Sequence, residues 1–130
     1  MPSYVVDTHS LVWFIAEDDR LSRRVARLLA QAETADVQVL VPTIVLAEIT
    51  YIAEKRRVKV AVAEVLARIE SGDGFAIVPF DLAVLRSMLQ LPIKWEMHDR
   101  IIAATACHYK AKVITKDRVL RGSSEVETVW

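Results

Sequence analysis

Four acidic residues stand where alternating strands and helices would bring their side chains together. Asp7 directly follows a short apolar run, Asp99 lies at the start of an alanine-rich helical pattern, and Asp117 comes two residues after the run KVIT. Glu48 lies in the second turn of a helical pattern that follows another apolar run. Carboxylate oxygens suit Mg²⁺ or Mn²⁺ better than zinc, which prefers nitrogen and sulfur ligands. Gathered at one place, these acids would form a divalent-metal site.

Glu48 is the least expected of the four acids. It is the only charged residue between Leu40 and Ala53, and the Ala/Leu content after Pro42 predicts a helix with proline in its first turn. Its neighbours three and four positions away are apolar or aromatic, and the face that tolerates water lies roughly 130° away. A carboxylate buried alone is unfavourable or takes up a proton, so Glu48 requires a cation or hydrogen-bond donors. A shared metal and a salt bridge to Lys or Arg both meet that requirement.

The other three acids also have a purely structural explanation. Asp7, Asp99 and Asp117 would each serve as a helix-capping or first-turn acid, stabilised by free backbone N–H groups and the helix dipole. Glu48 cannot cap a helix from its middle. The coincidence of three such acids with one isolated helical glutamate favours a common metal site. Carboxylates close enough to share an ion repel one another without it, so at least one should have a raised pKa when metal is absent.

The composition is that of an ordinary globular chain. Its 130 residues are 53% hydrophobic and 26% charged, and we expect residues 1–130 to form a single domain. Seventeen Lys and Arg balance 17 Asp and Glu, so the net charge gives no argument for nucleic acid as a partner. Basic residues bunch in three places, which we interpret as solvated helix faces and ends: Arg23, Arg24 and Arg27; Lys55, Arg56, Arg57 and Lys59; and Lys116, Arg118 and Arg121.

Membrane and secretion signals are not evident. Charge interrupts the apolar stretches well short of the roughly 18 to 20 residues of a membrane span, and the opening MPSYVVDTHS lacks a basic leader followed by an apolar segment. We therefore expect a cytoplasmic protein. Cys107 is the single cysteine, which excludes an internal disulfide and a cysteine-based zinc site. Its alanine-rich surroundings predict a small core residue.

Strands alternate with helices along the chain. Apolar runs predict strands at residues 3–6, 37–41, 75–78, 112–115 and 125–130. Helical patterns occupy residues 11–15, 21–32, the segment after Pro42, residues 60–69, residues 82–91 capped by Asp81, and residues 98–109. This alternation predicts an α/β fold with a mostly parallel sheet of about four to five strands and helices on both faces. Ligands of such sheets gather outside the carboxyl ends of the strands, where the four acids are expected.

Four blocks of the sequence resemble the motifs of PIN-domain ribonucleases. They read YVVDTHSLVW at the start, PTIVLAEI in the middle, MHDRIIAATA later and VITKD near the end. The blocks follow the order of the family at plausible spacings, and the resemblance extends over almost the whole chain. The short chain and the DTHSLVW opening resemble, more narrowly, the VapC-type toxins of VapBC toxin–antitoxin pairs.

The resemblance implies an endoribonuclease that hydrolyses RNA with Mg²⁺ or Mn²⁺. It implies that Asp7, Glu48, Asp99 and Asp117 bind the metal, which activates water for in-line attack on a backbone phosphorus. The Thr115 hydroxyl would orient ligands or water beside Asp117. The resemblance also implies a homodimer, and a protein antitoxin whose chain fills a groove near the active site.

The third block departs from the family pattern. Relatives with this opening often carry an Asp-Pro pair where this chain reads IKWEMH. Trp95 and His98 would contact RNA bases in one interpretation. In the other, Trp95 packs against the protein and His98 simply lies near a helix start. Arg100 would contact a phosphate or form a structural ion pair. We expect His9 to pack or to face solvent.

Two other functions fit part of the sequence. A receiver-like phosphoacceptor domain also has an acid after its first strand, and Thr115-Lys116 has a counterpart near the end of such a domain. It requires an acceptor aspartate after a central strand, however, and this chain has Glu48 on a helix. The second alternative is a PIN-fold scaffold that acts only by binding a partner. The presence of all four acids argues against it.

Overall fold

One parallel sheet organises the protein. The structure is a computed structural model, and it describes residues 2–55 and 60–130. Its strands are β1 (Ser3–Val6), β2 (Gln38–Pro42), β3 (Phe75–Val78), β4 (Lys112–Ile114) and β5 (Thr128–Val129). They are arranged in the order β3-β2-β1-β4-β5, and every neighbouring pair is parallel. The α/β fold with a parallel sheet, predicted from the sequence, is therefore confirmed.

Helices connect the strands. They are α1 (Thr8–Ile15), α2 (Arg23–Glu33), α3 (Thr43–Glu54), α4 (Val62–Ser71), α5 (Leu82–Met88), α6 (Met97–Tyr109) and α7 (Arg118–Arg121). The sheet extends from β1 to β3 in one direction and to β5 in the other, so right-handed crossovers place the connecting helices on opposite faces. None of the helices in residues 2–55 and 60–130 has the length and apolar character needed to cross a bilayer.

The centre of the sheet is fully buried. Val5 on β1 pairs with Leu40 on one side and with Val113 on the other, and all three side chains belong to the core. Strands covered on both faces are continuous apolar runs, as these are. Asp7 follows β1 directly, and its backbone N–H still donates to the carbonyl of Ile114 at 3.2 Å. The centre of the sheet thereby fixes Asp7 at the carboxyl ends of β1 and β4.

Several boundaries differ from the sequence-based prediction. The last strand covers only Thr128–Val129 instead of residues 125–130, and α5 ends at Met88 instead of residue 91. Pro42 belongs to β2 and is the N-cap of α3, so it precedes the first turn. The four-residue helix α7 was not predicted, because one turn is too short to show a helical period.

The prediction for Cys107 was wrong. Six consecutive residues of α6, from Ile101 to Ala106, are buried, whereas Cys107 is exposed. Alanine fits both the buried and the exposed face of a helix, so the alanine-rich pattern did not show where the buried face ends.

The basic clusters are exposed where they are described. Arg23, Arg24 and Arg27 on α2 face solvent, as do Lys55 and the third cluster with Lys116, Arg118 and Arg121. Arg56, Arg57 and Lys59 lie outside the described residues.

Candidate active site

A pocket of about 530 Å³ opens at the carboxyl ends of the central strands, and all four predicted acids line it. Asp7 follows β1, Glu48 projects from α3, Asp99 from the first turn of α6, and Asp117 precedes α7. The structure therefore brings together side chains from four separate segments of the chain. Their convergence at one rim is what a shared ligand requires.

Asp7 is both a helix cap and a pocket residue. Its Oδ1 accepts the backbone N–H of Ser10 at 3.0 Å and thereby caps α1. The capping explanation and the metal-site explanation are thus compatible, because the cap uses only Oδ1. Among the described residues Oδ2 accepts no hydrogen bond, so this oxygen is available to a ligand in the pocket.

Asp117 is positioned in the same way at a second helix. Its Oδ2 accepts the backbone N–H of Leu120 at 3.0 Å and caps α7. The Thr115 hydroxyl accepts the backbone N–H of Asp117 at 3.0 Å, and Thr115 itself is completely buried. Thr115 therefore acts on the backbone that carries Asp117, and it is not among the residues that line the pocket.

Asp99 has the most perturbed carboxyl group of the site. The N-cap of α6 is Glu96, whose Oε2 accepts the backbone N–H of Asp99 at 3.2 Å, so Asp99 is not needed as the cap. Burial, which has the largest effect, and the negative charges of Asp117, Glu96, Asp7 and Glu48, in that order, together raise the pKa of Asp99 to about 6. This agrees with the expectation that at least one of the crowded acids has a raised pKa.

Thr8 supplies the hydrogen-bond donor that Glu48 requires. The Thr8 hydroxyl donates to Oε1 of Glu48, and the Thr8 side chain is buried against the pocket. Within the described residues Glu48 forms no salt bridge, so the alternative of a structural pair with Lys or Arg finds no support there. Sequence reasoning missed Thr8, and the only available signal was its place directly after a strand-end acid.

Replacing Glu48 with glutamine should weaken metal binding without weakening the metal-free fold. The glutamine carbonyl can accept the Thr8 hydroxyl in place of Oε1, and the loss of one charge relieves repulsion in an acidic pocket. We expect the free energy of unfolding without metal to change by less than about 0.5 kcal/mol. Thermal unfolding with and without Mn²⁺ measures both effects, and the stabilisation by Mn²⁺ should shrink.

Thr8→Val is the matched variant for that experiment. It removes the hydroxyl donor and keeps the side-chain volume. The free energy of unfolding should fall by about 1 kcal/mol because Oε1 of Glu48 loses its hydrogen-bond partner. An unfolded metal-free Glu48→Gln protein would show instead that Glu48 serves mainly to hold the fold.

The residues beside Asp99 take different roles. Nδ1 of His98 lies 2.8 Å from Oε1 of Glu96, and both residues line the pocket. The hydrogen bond to Glu96 raises the pKa of His98, burial opposes the rise, and nearby negative charge adds to it. Trp95 packs against the core, as the packing alternative predicted. Nε of Arg100 donates to the Met88 carbonyl at 3.2 Å, so this guanidinium joins α6 to the end of α5.

The donor set of the pocket fits a hard divalent cation. All four predicted ligands offer oxygen atoms, and the buried hydroxyl of Ser10, which also lines the pocket, has no hydrogen-bond partner among the described residues. In the same part of the chain, no three acidic, His or Cys side chains already stand close enough together to hold a metal ion. Carboxylates that share no ion repel one another, and a bound cation would remove that repulsion.

Comparisons with known structures agree on the fold. VapBC2 from Rickettsia felis, crystallised with a promoter DNA fragment, includes a chain 17% identical to this one, with a TM-score of 0.70 over 98% of this chain and 97% of that chain. A toxin–antitoxin complex from Klebsiella pneumoniae gives 22% identity and a TM-score of 0.65 over 98% and 96%. FitAcB from Neisseria gonorrhoeae gives 22% identity and a TM-score of 0.66 over 98% of this chain and 96% of that chain.

The comparison of sequences gives the family. No curated protein sequence matches the chain. The model of the PIN domain, in contrast, matches residues 4–122, a stretch that includes Asp7, Glu48, Asp99 and Asp117. Because that match covers well over half of the chain, the protein belongs to the PIN-domain family.

Proposed function

We propose that the protein is an endoribonuclease that depends on Mg²⁺ or Mn²⁺. The observation that carries the proposal is the convergence of Asp7, Glu48, Asp99 and Asp117 in one pocket. Burial and the neighbouring acids raise the pKa of Asp99 there to about 6. Functional sites are where such perturbed groups collect. A group of acids that repel one another is kept in a fold at a cost in stability, and a bound cation removes that cost.

Asp7, Glu48, Asp99 and Asp117 would hold the metal in this proposal. When bound, the ion would neutralise phosphate charge and lower the pKa of water, so that hydroxide is available near neutral pH. The protein holds the ligands by contacts that are already in place. The Ser10 N–H fixes one oxygen of Asp7, the Leu120 N–H fixes one oxygen of Asp117, and the Thr8 hydroxyl fixes Glu48. Burial and the neighbouring acids raise the pKa of Asp99 to about 6, so its carboxyl group holds a proton more tightly than an exposed aspartate does.

We also propose that the protein is the toxin of a toxin–antitoxin pair and that it acts in the cytoplasm. Support comes from solved structures with the same fold, which include toxin–antitoxin complexes. We also propose a homodimer, with a candidate surface on and just after α5, where Leu82, Leu89 and Ile93 are 60%, 63% and 87% exposed.

RNA cleavage by purified protein, free of any partner, tests the proposed activity. We expect cleavage with Mg²⁺ or Mn²⁺, none in EDTA, and recovery when excess metal is restored. Equal cleavage in EDTA would contradict the metal dependence. Tight Mn²⁺ binding without cleavage of any RNA tried would favour the scaffold that acts by binding a partner.

A further inference from the structure

Lys116 is the only lysine or arginine among the described residues that line the acidic pocket. Five carboxylates surround the same space: those of Asp7, Glu48, Glu96, Asp99 and Asp117. A phosphodiester that enters this pocket meets strong negative charge. A fixed cation at the edge of the pocket would therefore decide where the backbone of a nucleic acid can lie.

The Lys116 ammonium lies over an aromatic ring. Its Nζ is 5.9 Å from the centroid of the Trp13 ring, within the range of a cation–π interaction. Although Asp117 is its neighbour in sequence, Lys116 forms no salt bridge within the described part of the chain. The ring attracts the ammonium without supplying an oxygen acceptor, so N–H donors of Lys116 remain for another anion.

Trp13 is itself held from several sides. Its ring and the Trp130 ring form a T-shaped pair with their centroids 6.1 Å apart, and the centroid of the His9 ring lies 5.7 Å away. The guanidinium carbon of Arg20 lies 5.0 Å from the same Trp13 centroid. With two cations already beside it, the ring is better suited to holding a positive charge than to stacking with an RNA base.

We propose that Lys116, held over Trp13, binds an RNA phosphate adjacent to the carboxylate cluster, with Trp13 as a positioning residue. This proposal rests on the proposed function, because it assigns a contact for the substrate of that same site. The acids and Lys116 then have different roles. The acids hold the cation, and Lys116 binds a phosphate beside the one that is cleaved.

RNA binding as a function of salt tests the contact without relying on cleavage. The probe is a short, fluorescently labelled single-stranded RNA, and its Kd is measured by anisotropy in EDTA at several salt concentrations. We expect Lys116→Met to weaken binding about fivefold and to reduce the slope of log K against log salt by about 0.7, the value for one phosphate contact. Lys116→Arg should keep the Kd and the salt slope close to the native values.

Lys112→Met is the matched control. Lys112 is exposed at the other end of β4, where it pairs with Glu127 at 3.7 Å, and it does not line the acidic pocket. Its replacement should leave the Kd and the salt slope unchanged. Trp13→Leu should weaken binding as Lys116→Met does, and adding it to Lys116→Met should have little further effect, since both remove the same contact. Trp13→Phe keeps an aromatic ring, so its Kd for RNA should lie between those of the native protein and Trp13→Leu.

The outcomes separate the two proposals. If native protein cleaves RNA with metal but Lys116→Met has the native Kd and salt slope, the phosphate contact is overturned and the nuclease function stands. If Trp13→Leu and Lys116→Met weaken binding independently, Trp13 does not act through Lys116. A folded native protein that neither binds nor cleaves the RNA overturns both proposals.

Discussion

Asp7→Asn should abolish metal-dependent RNA cleavage and leave the fold almost unchanged. Asparagine caps helices about as well as aspartate, and its side-chain oxygen can accept the Ser10 N–H that Oδ1 of Asp7 accepts now. The substitution removes one of the four negative charges proposed to hold the metal. Changes to groups that merely support metal ligands cost roughly 10–100-fold in affinity or activity, so loss of a ligand should cost at least about a hundredfold.

Asp81→Asn provides the matched control for that experiment. Asp81 caps α5 through the same contact, with Oδ1 accepting the Val84 N–H at 3.1 Å, but it lies outside the acidic pocket. Both variants should unfold within about 0.5 kcal/mol of native in EDTA. Only Asp7→Asn should lose cleavage and stabilisation by Mn²⁺. An active Asp7→Asn protein would show that Asp7 serves only as a cap.

The metal-free protein should lose stability as pH rises from about 4 to about 7. The pKa of Asp99 is raised in the folded protein from 3.8 to about 6, so the folded state binds this proton more tightly than the unfolded state does. The stability from that proton is complete below about pH 4, and it is lost as pH rises through about 6. After allowance for solvent screening of this half-buried group, we expect a loss of about 1–2 kcal/mol.

A divalent cation should reverse this trend. Because the ion binds the ionised carboxylates, Mn²⁺ should stabilise the protein more at pH 7 than at pH 5. Denaturant unfolding at both pH values, with Mn²⁺ or EDTA, measures the change. Asp99→Asn separates the effect from His98, whose raised pKa also removes stability as pH rises. A pH dependence identical in native and Asp99→Asn protein would contradict the assignment of the raised pKa to Asp99.

Most of the fold could be predicted from the sequence because the local patterns for strands, turns and helices agree with one another. The runs that form β1, β2 and β3 are short and apolar, and each precedes a helical pattern in the sequence. Asp7 directly follows the first run, and Pro42 ends the second. Strand ends therefore located Asp7 and Asp117, and the isolated charge in an apolar helix located Glu48. These inferences need only the neighbouring residues.

Contacts between distant segments could not be predicted from the sequence. Periodicity shows which residues share a helix face, but it does not show that Thr8 reaches Glu48, 40 positions away. The placement of Lys116 over Trp13 is of the same kind, because it depends on how α1 packs beside the end of β4. Thr115 was singled out by resemblance alone, and its bond to the backbone of Asp117 became visible only in the folded chain.

The most direct test of the nuclease proposal compares native protein with Asp99→Asn in RNA cleavage under Mg²⁺, Mn²⁺ and EDTA. Both proteins are purified without a partner and shown to be folded, and a parallel purification from cells lacking the protein controls for contaminating nuclease. We predict cleavage by native protein that requires metal and falls at least about a hundredfold in the variant. Equal cleavage by both proteins would contradict the proposed role of the acidic pocket.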